Sequence, residues 1–368
     1  MTDWFRLLDS TTAESPSLLL YPDRIVENIR RMIAIAGGPT RLCPHVKTHK
    51  LPQVVGLKRA AGIRHFKCAT VAEAEMVAGA DGEHVLLSYP LVGPNIARWL
   101  ELQRRFPRTN FSVVGDDPGA VRALAEAAGS AGQTVEILLD LNVGMNRTGI
   151  VPGDAALDLV RWITESRALR FGGLHLYDGH LHQPDPQERR TAWRDATAPA
   201  WAFRDRLLGA GIAVPRIVAG GTPTLPFFAE LPGVQCSAGT PVLWDSGQPR
   251  NNPELEFLPA AVLLTRVISK PVPNRLCLDL GHKSVASEMS PPRVRLLGLE
   301  DAVFITHSEE HLVIETPLAG NFAVGDALYG IPRHICPTVA LHAEVLVVRD
   351  GRVQERWPVT ARARRISV

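Results

Sequence analysis

Short apolar runs alternate along this chain with stretches whose apolar residues recur every three or four positions. Residues 17–21 form one such run, ended by Pro22. Asp23 then stands where it can cap a helix through about Gly37, with Ile25, Ile29, Met32 and Ile33 on one face. Strand-like runs follow at 42–47, 65–69, 84–88, 110–114, 135–141, 171–177, 215–219 and 234–238, and helical spacing fills 50–61, 71–79, 94–105, 117–131, 153–166, 186–210 and 224–230. Strand and helix in fairly regular alternation, eight strands over about 220 residues, predict an α/β fold: a parallel (β/α)8 barrel of the TIM type, with a doubly wound open sheet as the alternative. Polar or glycine-rich punctuation follows most of the runs, as at Lys47-Thr48, Thr70, Tyr177–His180, Gly220-Gly221-Thr222 and Gly239-Thr240. In a barrel these strand ends meet on one face, where active sites are built.

The period changes after about residue 255. Runs at 260–269, 275–280, 302–306, 311–316 and 343–349 are short, β-branched and separated by Pro, Gly and Asp turns, and Asp350-Gly351 is a hairpin signal. The expected organisation is a barrel over 22–246 and a C-terminal all-β domain of 255–368, joined by the early strand in 1–21, with 247–254 as linker. Composition excludes several classes. A net charge of +2 offers no field for nucleic acid, and five scattered cysteines form no disulfide framework. The opening residues show no basic segment before an apolar core, and no apolar run reaches the roughly 20 residues of a membrane span. A cytoplasmic protein with no nucleic-acid or membrane partner is expected.

Six lysines against thirty-four arginines make each lysine informative. Lys47, in Pro44-His45-Val46-Lys47-Thr48-His49-Lys50 at the end of an apolar run, is either a solvated loop residue or a desolvated amine able to form a Schiff base, which a guanidinium cannot do. Gly220-Gly221-Thr222-Pro223 and Gly239-Thr240, at the ends of strands seven and eight, suit a phosphate. Arg147 follows strand five and can bond an oxyanion of a cofactor ring, while Tyr177-Asp178-Gly179-His180 brings an aromatic, a carboxylate and an imidazole. His334-Ile335-Cys336, if extended, would point two ligands one way and bind a borderline divalent ion, zinc foremost.

These motifs, with Thr70-Val71-Ala72-Glu73-Ala74, Gly144-Met145-Asn146-Arg147-Thr148-Gly149 and Ser308-Glu309-Glu310-His311, occur in an order that resembles the D-threonine aldolase / D-serine dehydratase family of pyridoxal-phosphate enzymes with the alanine racemase fold. The resemblance spans roughly residues 17–360. It implies a homodimer acting on small D-amino acids, with Lys47 as the Schiff-base lysine and Arg147 beside the pyridoxal phenolic oxygen. Tyr177 belongs to the cofactor site, and Gly220, Gly221, Thr222, Gly239 and Thr240 match the phosphate loops. His180 matches the histidine near the substrate hydroxyl, and His334 with Cys336 the pair that binds zinc or manganese. His-x-Cys resembles the dehydratase side and Tyr-Asp-Gly-His the aldolase side. The expected reaction is retro-aldol cleavage of a D-3-hydroxy amino acid to glycine and an aldehyde, with dehydration or racemisation as alternatives.

Overall fold

A computed structural model describes residues 3–368. After β1 (Ser17–Leu20) and α1 (Pro22–Ala36), the chain enters the alternation that the pattern predicts: α2 (Pro52–Ala60), β2 (His65–Cys68), α3 (Val71–Gly79), β3 (His84–Leu87), α4 (Pro94–Arg105), β4 (Asn110–Gly115), α5 (Pro118–Ser130), β5 (Val135–Leu141), α6 (Asp154–Glu165), β6 (Leu169–Leu176), α7 (Pro186–Gly209), β7 (Ile217–Ala219), α8 (Leu225–Ala229) and β8 (Val234–Cys236). Helix starts follow capping chemistry: Thr70, Asp117 and Asp185 each accept a backbone N–H of the first turn, and Pro118 and Pro186 occupy first positions where no N–H is needed. Strands β2 to β8 pair in parallel in chain order.

The expected first barrel strand, 42–47, is not a full strand. Pro44 has no N–H to give a ladder, and Val46–Thr48 already turns into a short 3-10 helix. The segment still closes the sheet. Leu42 bridges Cys236 on one side and His45 bridges Lys67 on the other, both in parallel, through Cys43 N–H to Cys236 O at 2.9 Å and Lys67 N–H to Pro44 O at 3.2 Å. A sheet closed on itself has no open edge, so the fold is a barrel and not the doubly wound alternative.

Strand alternation then sorts the barrel interior into layers. Cys43, Leu86, Val114, Leu138 and Val218 form one buried apolar cluster. Two residues back along the strands lie His84, Ser112, Glu136 and Arg216, a polar layer in which Arg216 bonds Ser112 Oγ at 2.8 Å and Glu136 at 3.0 Å. His65 stacks on His84 there at 4.2 Å. Two residues forward from Cys43 and Leu138 stand His45 and Asp140. Asp140 pairs in register with His175, so the layer at the C-terminal end of the strands is again polar.

Gly172-Gly173 absorbs a register shift between β5 and β6. Gly173 has φ +122°, and a Cβ there would lie 1.8 Å from the Arg216 carbonyl oxygen. Gly173→Ala is therefore expected to destabilise the protein by about 3 kcal/mol or more. A thermal melt within roughly 2 °C of the parent would contradict this account of the bulge.

The barrel unit comprises Arg30–Lys47, Pro52–Gly239 and Ala363–Val368. A second unit comprises the residues up to Ile29, Thr48–Leu51 and Thr240–Arg362. Its strands are β1, β9 (Ala261–Ser269), β10 (Arg275–Leu278), β11 (Val294–Leu296), β12 (Val303–His307), β13 (Leu312–Glu315), β14 (Ala327–Pro332), β15 (Glu344–Arg349) and β16 (Arg352–Pro358), with helices α9 (Gln248–Asn251) and α10 (Ile335–Leu341). The sheet order is β12-β13-β10-β9-β1-β15-β16, with β14 also on β9 and β11 on β14. The early strand joins this sheet: β1 runs antiparallel to β9 and parallel to β15. Leu19, Val262, Leu264, Tyr329 and Leu346 are buried together in its core. Asp350 and Gly351 both take positive φ, 49° and 69°, and turn β15 into β16.

Two expectations are corrected here. Residues 247–254 are not a plain linker, because Asp245 accepts the Gly247 and Gln248 N–H groups and starts α9. His334-Ile335-Cys336 is not extended: His334 is the extended N-cap residue of α10, and Cys336 lies in its first turn. The opposite side of Asp245 fixes that helix start by accepting the Ile335 N–H at 3.0 Å.

Candidate active site

A cavity of about 610 Å3 opens in the barrel unit, lined among others by His45, Lys47, Lys67, Arg147, His175 and Tyr177. It lies at the C-terminal ends of β2, β5 and β6 and beside the closing segment, where barrel chemistry is expected. Tyr177 is the ring around which its basic groups gather. The Arg147 guanidinium carbon stands 4.9 Å from that ring, the Lys67 amine 5.1 Å and the Lys47 amine 5.7 Å. Three basic groups around one aromatic ring repel one another when charged, and the arrangement calls for an anionic ligand.

Buried acid–base groups stand behind this face. His175 Nδ1 and Asp140 Oδ1 are 2.6 Å apart, both nearly inaccessible. Burial, and then Lys67, hold His175 below its usual value. Neutral His175 thus donates Nδ1–H to the Asp140 carboxylate, and its buried Nε2, an acceptor, has no protein partner among the described residues. Lys67 is pushed down to about 7, first by burial and then by Lys47. Its one hydrogen-bond partner is Ser237 Oγ at 3.0 Å, and Ser237 in turn donates to the Gly220 carbonyl at 2.7 Å.

The loop after β5 that carries Arg147 is shaped by Asn142, whose side-chain oxygen accepts from Gly144 N–H and Asn146 N–H. Gly149 N–H bonds Asp116 at 2.6 Å and anchors its far end. His180 packs against this loop: its Nε2 lies 3.1 Å from where a Gly144 side chain would begin. His180 Nδ1 is buried without a partner.

The Gly220-Gly221-Thr222 turn is built closely. Gly220 has φ +83°, and a Cβ there would sit 2.5 Å from the Phe228 ring. Gly221 approaches Tyr177, and buried Arg189 of α7 tethers the turn through Pro223 O at 3.1 Å. Gly221 N–H already serves the buried carboxyl of Asp178 at 3.0 Å. That carboxyl is raised by burial. A phosphate on this turn therefore competes with Asp178. Gly239 is the last barrel residue before Thr240, whose hydroxyl lies 3.7 Å from Cys336 Sγ.

In the second unit the expected pair is together. His334 Nδ1 meets Glu288 at 2.6 Å, and the Cys336 sulfur is within hydrogen-bond reach of the same imidazole. Thr48 Oγ lies 3.2 Å from that sulfur. Burial pulls His334 down, but Cys336, Glu288 and Asp245 outweigh it and raise it to about 9. A site that holds a proton so firmly favours a cation, and a carboxylate on the far ring nitrogen is the usual orientation device of a metal-binding histidine. Among the described residues no cluster of three or more His, Cys, Asp or Glu ligands is present. The pair thus fits a metal as two donors whose other ligands come from elsewhere. Ser308–His311 is the turn between β12 and β13, where Glu309 and Glu310 pair with Lys283 at 2.7 and 3.3 Å.

Lys47, Arg147 and Tyr177 meet at one cavity, whose amine and cationic donor fit an anionic aldehyde, and Ser237 links Lys67 of that cavity to the Gly220 turn. Sequence reasoning missed Lys67, Asp140 and His175, which alternate inward on strands, and Asp245 and Glu288, which act through His334 and its helix.

A parallel barrel, an appended β unit and a lysine at the end of the closing segment define the alanine racemase class of fold. The chain belongs to the alanine racemase-like family: the model described as "Alanine racemase, N-terminal domain" matches residues 21–231, and "Putative serine dehydratase domain" matches 260–348. It is 31% identical over 356 residues to a D-threonine aldolase of Arthrobacter sp, covering 95% of this chain and 93% of that one. A 3-hydroxy-D-aspartate aldolase of Paracoccus denitrificans (strain Pd 1222) is 29% identical over 97% of this chain and 94% of its own. The crystal structure of D-threonine aldolase from Filomicrobium marinum superposes with a TM-score of 0.88 at 29% identity, covering 95% and 96% of the two chains. No helix among the described residues is long and apolar enough to cross a membrane.

Proposed function

We propose that this chain is a pyridoxal-phosphate- and divalent-metal-dependent lyase acting on D-3-hydroxy amino acids, and that its main reaction is retro-aldol cleavage of the D-threonine type to glycine and an aldehyde. The observation that carries the reading is the convergence of Lys47, Arg147 and Tyr177 on one cavity. Pyridoxal phosphate bound there supplies an electron sink that weakens the bonds at the substrate's Cα. Lys47 would offer the primary amine that ties the aldehyde, and Arg147, a donor with no acceptor capacity, would hold the phenolic oxygen. Gly220, Gly221, Thr222, Gly239 and the backbone of Thr240 take the phosphate, displacing Asp178 from Gly221 N–H. Tyr177 packs its ring against the cofactor. His180 accepts the proton of the substrate's β-hydroxyl. His334 and Cys336 would hold a zinc or manganese ion, which would supply Lewis-acid charge. The same reading has the enzyme working as a homodimer in the cytoplasm.

Dehydration is the second reading, favoured by the match of residues 260–348 to a serine dehydratase domain and by the Cys336 ligand type. The test is product analysis with D-threonine, pyridoxal phosphate and Zn2+ or Mn2+. Glycine with acetaldehyde is the expected result. 2-Oxobutyrate with ammonia selects the dehydratase, and epimerised threonine with neither product selects a racemase.

A further inference from the structure

Lys67 has no role in the reading above, yet its placement is costly. It is 2% exposed, it lines the cavity, and its ammonium has three N–H groups with one protein acceptor, Ser237 Oγ at 3.0 Å. The charged groups around it are Lys47, Asp140 and Asp178, with the Cys43 thiol and the neutral His175 also facing it. Neither carboxylate is in hydrogen-bond contact with it: Asp140 is spent on His175, and Asp178 on Gly221 N–H. A buried ammonium without a paired anion is destabilising in the empty protein. A chain with only six lysines has nevertheless placed two of them, Lys47 and Lys67, on one Tyr177 ring.

The second feature of this floor is His175 Nε2, a buried acceptor with no protein partner among the described residues, on a residue that also lines the cavity. The floor thus presents spare donors on Lys67 and a spare acceptor on His175. The Lys67 amine stands 5.1 Å from the Tyr177 ring and reaches the Gly220 carbonyl only through Ser237, and none of Gly220, Gly221 and Thr222 is among the lining residues of the cavity. Spare donors and a spare acceptor beside the Tyr177 ring suit an aromatic ligand that carries oxygen atoms.

Resting on the pyridoxal-phosphate reading, we propose that Lys67 is a cofactor-contacting residue that fixes the pyridoxal ring from the cavity floor, with Ser237 holding its amine in place. The residue trades stability of the empty protein for affinity toward the ring. Its amine is depressed to about 7 in the folded chain by burial, while the unfolded value is about 10.4. Between these two values the unfolded chain binds more protons, so the penalty shrinks as pH rises through the window and is full below it.

The test compares Lys67→Met and Lys67→Arg with the parent, each first stripped of cofactor and then titrated with pyridoxal phosphate and with unphosphorylated pyridoxal by visible absorbance. Lys67→Met is expected to melt several degrees higher than the parent when empty, with the gain largest at pH 6 and vanishing toward pH 10. It is also expected to bind both aldehydes at least tenfold more weakly with a displaced visible band, and Lys67→Arg to recover part of the affinity. A lower melting temperature for empty Lys67→Met, or its failure to fold, assigns Lys67 a structural role and overturns the proposal. Equal affinity and an unchanged band overturn it as well. Loss confined to pyridoxal phosphate assigns Lys67 to the phosphate and overturns the ring contact. A parent that binds neither aldehyde removes the pyridoxal-phosphate reading itself, and this inference with it.

Discussion

Lys47→Ala is expected to give a folded, colourless protein with activity lowered by about four orders of magnitude, ~5.5 kcal/mol of transition-state stabilisation. Lys47 is partly exposed at the cavity wall, in the short turn Val46–Thr48. Removing its stem deletes little packing, so stability moves by no more than roughly 0.5 kcal/mol. What it deletes is the amine at the site where three basic groups converge on Tyr177. Borohydride reduction of the parent loaded with pyridoxal phosphate, followed by peptide mapping, checks the assignment. The label belongs on Lys47. Label on Lys50 or on Lys67, or a visible lysine-linked band retained by Lys47→Ala, would sink it.

The second large effect concerns the other unit. His334→Ala is expected to lower turnover by about three orders of magnitude, ~4 kcal/mol, while pyridoxal phosphate still binds with its normal band. The substitution removes one of the two proposed metal donors and leaves Glu288 without its imidazole partner. Because Glu288 is 46% exposed, water can solvate it and the fold should hold. Chelator treatment of the parent should reproduce the loss, with Zn2+ or Mn2+ restoring activity. The sign of the pH dependence follows from the proton that His334 keeps up to about 9. A metal must displace that proton and the Cys336 thiol proton, so apparent metal affinity rises with pH up to at least about 9. Full turnover of His334→Ala in chelator would falsify the metal role.

The two units differ in how much of them could be read from the chain. Barrel helices were legible almost to the residue because caps such as Thr70, Asp117 and Asp185 act within one turn of their own chain. The hairpin at Asp350-Gly351 was legible for the same reason, since positive φ is a local demand. The first barrel strand was over-read: the apolar run 42–47 contains a proline, and only its bridges to Cys236 and Lys67 give it a place in the sheet. The short strands β11 and β14 and the helix α10 went unread. Each depends on partners distant in sequence, such as β14 on β9 or Ile335 on Asp245.

By itself the sequence determined the alternation of strand and helix, the change to an all-β pattern near residue 255, and the order of motifs that marks Lys47, Arg147, Tyr177 and the His334–Cys336 pair. Those are properties of periodicity, turn chemistry and residue type, which a chain carries with it before it folds. Only the tertiary structure decided that the sheet closes and that Lys67, Asp140 and His175 turn inward together. It alone decided which buried atoms lack partners. Side-chain direction in a strand depends on register against neighbours, and the worth of a buried charge depends on groups that only closure of the barrel brings near.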